Sequence, residues 1–394
     1  MPLVKTLYEP AGSNAESIKG ISVPLEKLVM TVTDEIIREK PHCVINAFSD
    51  EEKKAGLKKE IVGILDSGNY YYSGGRQSII NGIFDFMFGY GALQKYVDDD
   101  DISDIDGTSF DEFSITKNGI RRQVDVNFGD DPAFGTYCRL VAIRSGGFLN
   151  EDDTHCRTAD LDRRLRINVS IPPRNISGPA ISIRKHRRRA YTYAQLGELG
   201  MLDVESTAIL KSAAEAKESI LFSGKGAAGK TTLLRTFLNS LPELERVLVV
   251  ESDAEIYPEK KFCIQQRTKK PGEGGRPVDL EMLIRDGLTM SLDTYCVGEI
   301  VGAEAYSFIM ASRSGHRVLG TIHSSCAEES INRLVSLASG ARIGEPAGRM
   351  LETAAYGIEY VVHLREFRVE SIISVEGIKN GKIDVRKLYE RKSK

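Results

Sequence analysis

The chain has 394 residues, with 53 Lys+Arg against 56 Asp+Glu, 41% hydrophobic residues and 28% charged ones. That balance belongs to a folded protein with apolar surface for two or three domains, and it excludes a disordered polyelectrolyte. A formal net charge of −3 also excludes a protein whose main task is bulk neutralisation of nucleic-acid phosphates.

No stretch approaches the roughly 18 apolar residues of a bilayer span, and the start lacks the basic-then-apolar pattern of a secretory signal. Cys43, Cys138, Cys156, Cys263, Cys296 and Cys326 are scattered without a C-x-x-C pair. They read as reduced thiols, and a cytoplasmic location is the expectation.

Residues 1–72 read as an N-terminal appendage, punctuated by Pro2, Pro10, Gly12 and Pro24. Within it, Leu57, Ile61, Val62 and Leu65 alternate with charges and predict a short amphipathic helix from Glu51 to Leu65. Residues 73–190 read as a smaller α+β domain with a basic linker. Gly74-Gly75 opens a mixed apolar stretch that ends near Tyr96. The acidic run Asp98 to Asp101 follows, without the spaced ligands of a calcium loop, and reads as a solvated turn. Period-two runs predict strands at Phe113–Thr116, Gln123–Phe128, Leu165–Val169 and Ala180–Ile183. The basic run Arg184 to Arg189 closes the domain. No groove of basic residues interleaved with stacking aromatics accompanies it, so direct nucleic-acid binding is not expected. Residues 191–394 alternate helix and strand patterns to about residue 366 and end in a tail. The fold class is α/β, a mostly parallel sheet covered by helices and preceded by the smaller α+β domain.

Ser219 to Phe222 is a short apolar strand running into Gly224-Lys225-Gly226-Ala227-Ala228-Gly229-Lys230-Thr231, which fits G-x-x-x-x-G-K-[ST]. Thr232, Leu233, Leu234 and Phe237 continue as a helix. Glycines let backbone N–H groups curl toward phosphate oxygens, and the helix start adds a favourable dipole. Lys230 can reach the β and γ phosphates, and the Thr231 hydroxyl can sit on Mg²⁺. This spacing predicts a nucleotide site.

Arg246 to Val250 predicts a strand ending in Glu251-Ser252-Asp253-Ala254-Glu255, and Thr294 to Val297 one ending in Gly298-Glu299. In an open parallel sheet the C-terminal strand ends face the ligand crevice, so these carboxylates would be delivered toward the phosphates. One placed there can orient or deprotonate water, or hold Mg²⁺ through water. Ser314 to His323 carries His316 and His323. A neutral imidazole at the end of Leu319-Gly320-Thr321-Ile322 could donate to γ-phosphate or to a catalytic carboxylate. A histidine-only zinc site finds no supporting ligand spacing.

In this order, the P-loop, acidic box, Gly-Glu strand and paired-histidine segment resemble the secretion ATPase superfamily of type II secretion, type IV pilus and type IV secretion systems. Leu283 to Leu288 and Leu292 to Glu299 are similar to its Walker B region. Ala303-Glu304-Ala305, Gly315 to His323 and Asn332-Arg333-Leu334 continue the likeness. Ile171-Pro172-Pro173 and Ser177 to Lys185 are similar to the tight-adherence (Flp) pilus assembly ATPases and their conjugative type IV secretion relatives. The resemblance covers residues 73–366.

The resemblance implies a hexameric ring ATPase that uses ATP and Mg²⁺, with nucleotide between an N-terminal domain and a RecA-like domain. Ring motion would drive pilin assembly, pilus movement or export. It also implies an inner-membrane platform protein as partner, holding the ring at the inner face of the cell membrane. By position, Lys230 and Thr231 hold phosphate and Mg²⁺, with Glu299 or Glu255 acting through water. Glu251 and Glu255 match the first and last acids of the Asp box. Glu299 matches the Walker B glutamate, the water activator, and His316 and His323 match the His box. Arg166 and Arg184 are candidate phosphate-sensing arginines, with Arg139 and Arg267 as further candidates.

Some positions depart from the family pattern. Ser252 stands where the Asp box carries Asp, and Val301 where an Arg follows the Gly-Glu pair. Asp293 lacks the usual preceding Pro, and Thr289 replaces a frequent Arg. The four-cysteine zinc element of type II members is absent. Lys230, Thr231 and Glu299 are kept, so hydrolysis is expected. Ser252 and Val301 motivate an alternative, a nucleotide-gated platform with little turnover. A DNA translocase is a third reading, marked by salt-sensitive stimulation by DNA.

Overall fold

The computed structural model describes residues 51–67, 76–145, 152–269, 276–341 and 346–392, with a few isolated positions besides. Pro2, Pro10, Gly12, Pro24, Cys43 and Gly74-Gly75 lie outside the described residues. The chain divides into two compact units, Met1–Arg187 and Arg188–Lys394, with the boundary inside the basic run.

The first unit contains α1 (Glu51–Ser67), α2 (Arg76–Phe88), α3 (Gln94–Asp98), β1 (Ile102–Gly107), β2 (Phe113–Lys117) and β3 (Ile120–Val124). α4 (Asp131–Arg144), β4 (His155–Asp160), β5 (Leu165–Ser170) and β6 (Ala180–Lys185) follow. The strands form an antiparallel sheet in the order β3-β2-β1-β6-β5-β4. Their period-two pattern turns Leu165, Ile167, Val169, Ile181 and Ile183 into the core and leaves Arg166, Asn168, Ser182 and Arg184 on the other face. α4 supplies Phe134, Tyr137, Cys138, Leu140 and Val141 to the core. It starts where the Asp130 carboxylate accepts the Ala133 N–H, with Pro132 in its first turn. Leu57 and Ile61 of α1 are buried in the same core, so the described part of 1–72 is built into this unit.

The strand expected at Gln123–Phe128 is corrected: β3 ends at Val124, and Val126 and Phe128 are buried beyond its end. Asn118-Gly119, both at positive φ, make the two-residue hairpin turn that pairs Lys117 with Ile120 and starts β3 early.

The second unit opens with α5 (Tyr193–Glu198), α6 (Val204–Glu215), β7 (Ile220–Gly224), α7 (Lys230–Asn239), β8 (Val247–Glu251) and β9 (Cys263–Arg267). It continues with α8 (Leu280–Gly287), β10 (Thr294–Ile300), α9 (Glu304–Arg313), β11 (Arg317–Ile322), α10 (Ala327–Ala341) and α11 (Ala347–Gly357). β12 (Tyr360–Arg365), β13 (Arg368–Lys379) and β14 (Lys382–Glu390) end it. The sheet order is β14-β13-β12-β7-β11-β10-β8-β9, parallel from β12 through β9 and antiparallel at β13 and β14. Helices cover both faces. Ile220 and Phe222 pack with α6 and α7, while Leu221 between them packs with α9 and α10.

The segment after residue 366, expected as a tail, is instead two strands of this sheet. The β13–β14 turn is Asn380-Gly381, with φ of +55° and +73°. Tyr389 near the end of β14 donates to Asp203 Oδ2 at 2.5 Å, and Asp203 caps α6, so the C-terminal strands are tied back to the body of the unit.

Candidate nucleotide site

β7 ends hard against β12. Gly224 has φ +142°, and a Cβ there would fall on the carbonyl oxygen of Leu364, so glycine alone lets the loop leave the strand at this point. Gly229 precedes α7 as an N-cap without a side-chain hydrogen bond, which leaves the first helical N–H groups for an incoming acceptor. Lys230 is 7% exposed, and its Nζ donates to the carbonyl oxygens of Gly224 and Lys225 at 3.0 and 2.9 Å. Burial pulls the ammonium below its ordinary pKa, and the Glu299 carboxylate opposes that pull. Lys230 and Glu299 therefore lie within electrostatic reach of one another.

Glu299 reaches the loop because β10 is irregular. Its register against β11 shifts between Val297 and Ile300, which leaves Glu299 exposed while its neighbours Gly298 and Ile300 stay buried. The Thr321 hydroxyl donates to Gly298 O at 2.6 Å and holds this irregularity. Glu299 Oε1 meets His323 Nε2 at 2.7 Å. A carboxylate only accepts, so Nε2 carries the proton. The His323 ring borders the phosphate loop, since a Cβ built on Gly226 would stand 3.7 Å from its Cε1. Gly226, His323 and Glu299 thus form one continuous edge.

The other acidic and histidine candidates fall elsewhere. Glu251 is 2% exposed and its carboxylate is engaged internally. Oε1 accepts the N–H groups of Glu255 and Ile256 at 3.0 and 2.9 Å, and Oε2 accepts Gln265 Nε2 at 2.6 Å. Burial pushes its pKa up to about 7 against those hydrogen bonds. The geometry makes Glu251 a brace for the turn that carries Ser252 to Glu255. Glu255 follows β8 at the same sheet edge as Glu299 and is half-buried.

His316 precedes β11 and His323 follows it, so the pair stands about 20 Å apart at opposite sheet edges. His316 Nδ1 lies 2.9 Å from Ser314 Oγ, and its ring meets Tyr295 edge-on. Of the two His-box candidates, only His323 is brought to the loop.

Residues 152–362 match the family described as type II/IV secretion system protein. The chain belongs to that family. A Mycobacterium tuberculosis protein whose name proposes a role in conjugal transfer is 27% identical over 290 residues, covering 72% of this chain and 82% of the relative. Among solved structures, the ATPase DotB of Yersinia pseudotuberculosis aligns with a TM-score of 0.51 at 14% identity, over 81% of this chain and 80% of its own. The pilus retraction motor PilT with bound ADP aligns with a TM-score of 0.50 at 15% identity, over 74% and 80%. The fold is the RecA-like one of these secretion ATPases, preceded by an N-terminal domain.

For this secretion-family chain the loop suits a nucleotide phosphate, since it offers an ammonium, an uncapped helix start and a glycine-lined bend. Thr231 carries its hydroxyl in the first turn of α7, and Glu299 and Glu255 offer carboxylate oxygens at the end of the sheet where β10 and β8 finish, the kind of hard oxygen donor that suits Mg²⁺. Thr232 is half-buried in the first turn of α7. Arg166 and Arg184 are direct cross-strand partners on the polar face of the first unit's sheet. Arg139 is an exposed residue of α4 in that unit. Arg267 ends β9 beside Glu251 in register, and its Nη1 donates to Thr268 O at 3.1 Å.

Sequence reading missed Gln265, which completes the Glu251 brace, and Glu304, whose carboxylate accepts the Val301 and Gly302 N–H groups at 2.5 and 2.8 Å at the start of α9. An acid two residues after a glycine just past a strand end, as Glu304 follows Gly302, is a readable helix-start signal for the second. Nothing local marks the first. Among the described residues no helix is long and apolar enough to cross a membrane.

Proposed function

We propose that this protein hydrolyses Mg-ATP and converts the energy into motion within a pilus or secretion machine. The observation that carries the reading is the continuous edge of Lys230, Gly226, His323 and Glu299 around the phosphate loop. Lys230 and the first N–H groups of α7 would neutralise and orient the β and γ phosphates. Glu299, held by the His323 N–H, would accept a hydrogen bond from water and take its proton as the oxygen attacks phosphorus. Thr231, with Glu299 or Glu255 through water, would hold Mg²⁺, which supplies charge neutralisation for the phosphates. A half-exposed carboxylate next to the loop supports turnover over the platform alternative, although Ser252 and Val301 depart from the family pattern.

The working form in this proposal is a homo-hexamer on the cytoplasmic side, docked through an inner-membrane platform protein. The conjugal-transfer relative and the pilus motor support a client that is a pilin, an exported protein or a conjugative complex. The test is phosphate release from Mg-ATP by the purified chain, with oligomer mass recorded in the same buffer. Turnover that Lys230→Ala abolishes would support the reading. ATP binding without turnover in any oligomeric state would sink it in favour of the platform.

A further inference from the structure

The support beneath the phosphate loop comes from residues 363–367, just past the end of the family match at 362. His363 is 4% exposed and lies in register with Ser223, the residue before Gly224. Its Nδ1 stands 2.9 Å from the Ser223 hydroxyl, which is fully buried. On the other side of the ring, Nε2 faces Glu370 Oε2 of β13 at 3.8 Å, and Glu370 also takes Arg365 Nη2 at 3.1 Å. With the proton on Nε2, on the side of that carboxylate, Nδ1 is the acceptor and the Ser223 O–H donates to it.

The next residues press on the loop itself. The Leu364 carbonyl is what a Cβ at Gly224 would strike. Phe367, in a turn where it and Glu366 have φ of +60° and +50°, packs its ring on Gly229, 2.9 Å from where a Cβ would stand. Two non-glycine residues in the left-handed region cost energy that only surrounding packing repays. One short segment thus meets both hinge glycines of the loop.

We propose that His363 is a positioning residue for the phosphate loop. Through Ser223 it fixes where β7 ends, and so where the Gly224 carbonyl and the Lys230 ammonium that donates to it lie. This rests on the nucleotide-site reading above. His363 acts through Ser223 and makes no contact with substrate. Burial keeps the imidazole below its ordinary pKa, and the charged groups facing it are Glu370 of β13, Glu328 of α10, Arg365 of β12 and Lys230 of α7. Protonation would convert Nδ1 from acceptor to donor and reverse its hydrogen bond with the Ser223 hydroxyl.

The experiment is binding of a fluorescent ADP analogue with Mg²⁺ to the full chain, which needs no turnover, with the thermal midpoint recorded without nucleotide. The set is wild type, Lys230→Ala, Ser223→Ala, His363→Asn, His363→Gln and the His363→Gln/Ser223→Ala double variant. Asn keeps an acceptor near the place of Nδ1, whereas Gln puts its amide near Nε2. His363→Gln should bind about tenfold more weakly, the worth of one buried hydrogen bond. His363→Asn should bind like wild type, and adding Ser223→Ala to His363→Gln should cost nothing further. Equal affinity in wild type and His363→Gln, or affinity that merely tracks the thermal midpoint across all variants, overturns the proposal with the nucleotide site intact. No binding by wild type, or binding untouched by Lys230→Ala, overturns the nucleotide-site reading and this proposal with it.

Discussion

The strand β11 joins two edges of one sheet that use ionisable groups in opposite ways. At its start, the Arg317 side chain is 3% exposed and faces Glu245, 1% exposed, at 3.3 Å. The same guanidinium donates to the carbonyls of Ala213, Ala214 and Glu218, and Glu245 also takes the Thr294 hydroxyl. Just past the end of β11, His323 and Glu299 meet at 2.7 Å with side chains 48% and 51% exposed. A charge whose donors or acceptors are all engaged inside the fold serves the fold. One left half in water beside a phosphate loop can meet a ligand. The difference separates structural from chemical charge more sharply than residue type does.

The largest expected effect tests the buried edge. Arg317→Ala should cost about 3–5 kcal/mol in denaturant unfolding, because it leaves Glu245 buried without its cation. Replacing both partners, Arg317→Met with Glu245→Leu, should recover most of that loss. A single variant as stable as wild type would remove the contrast between the edges.

Glu299→Gln tests the exposed edge. Turnover should fall about a hundredfold while nucleotide affinity stays near wild type, as read by single-turnover phosphate release and equilibrium binding. An equal loss of affinity would recast Glu299 as a binding group.

The two ends of β11 can be compared directly. His323→Ala should slow turnover about tenfold by freeing the Glu299 carboxylate to turn. His316→Ala, at the far edge, should leave turnover unchanged. Equal effects would break the assignment of chemistry to one edge.

Glu251 sharpens the comparison, since it is a buried acid at the chemical edge. Its pKa of about 7 lies above the ordinary value of 4.5, so folding favours the protonated form. The stability this contributes is present in full below the ordinary value and is lost as pH rises through about 7. Wild type should therefore lose about 1 kcal/mol relative to Glu251→Gln between pH 6 and pH 8, measured by denaturant unfolding. A flat difference across that window would reject a neutral buried brace.

How far the fold was legible depended on how local its signal is. The P-loop strand, loop and helix are contiguous, and each residue's task is set by its neighbours. β5 and β6 alternate cleanly and were readable for the same reason. β1 was not, because Ile102-Ser103-Asp104-Ile105-Asp106-Gly107 carries acids with weak strand preference. It becomes a strand inside the sheet because Asp106 finds Ser182 at 2.5 Å on the neighbouring β6 and Arg121 at 3.1 Å on β3, two strands away. β13 and β14 carried a readable signal in Asn380-Gly381 that the motif order overshadowed.

The sequence by itself determined the secretion-ATPase family, the phosphate loop and the order of acidic and histidine segments along the chain. Such features depend on backbone conformations and spacings within a few residues. Only the tertiary structure decided which members of those segments are buried and which stand beside the loop. Glu251 is silenced by Gln265 and by the turn N–H groups, whereas a shift of register turns Glu299 out beside Gly226 and His323. Burial and hydrogen-bond satisfaction are set by residues tens of positions apart, so no spacing along the chain encodes them.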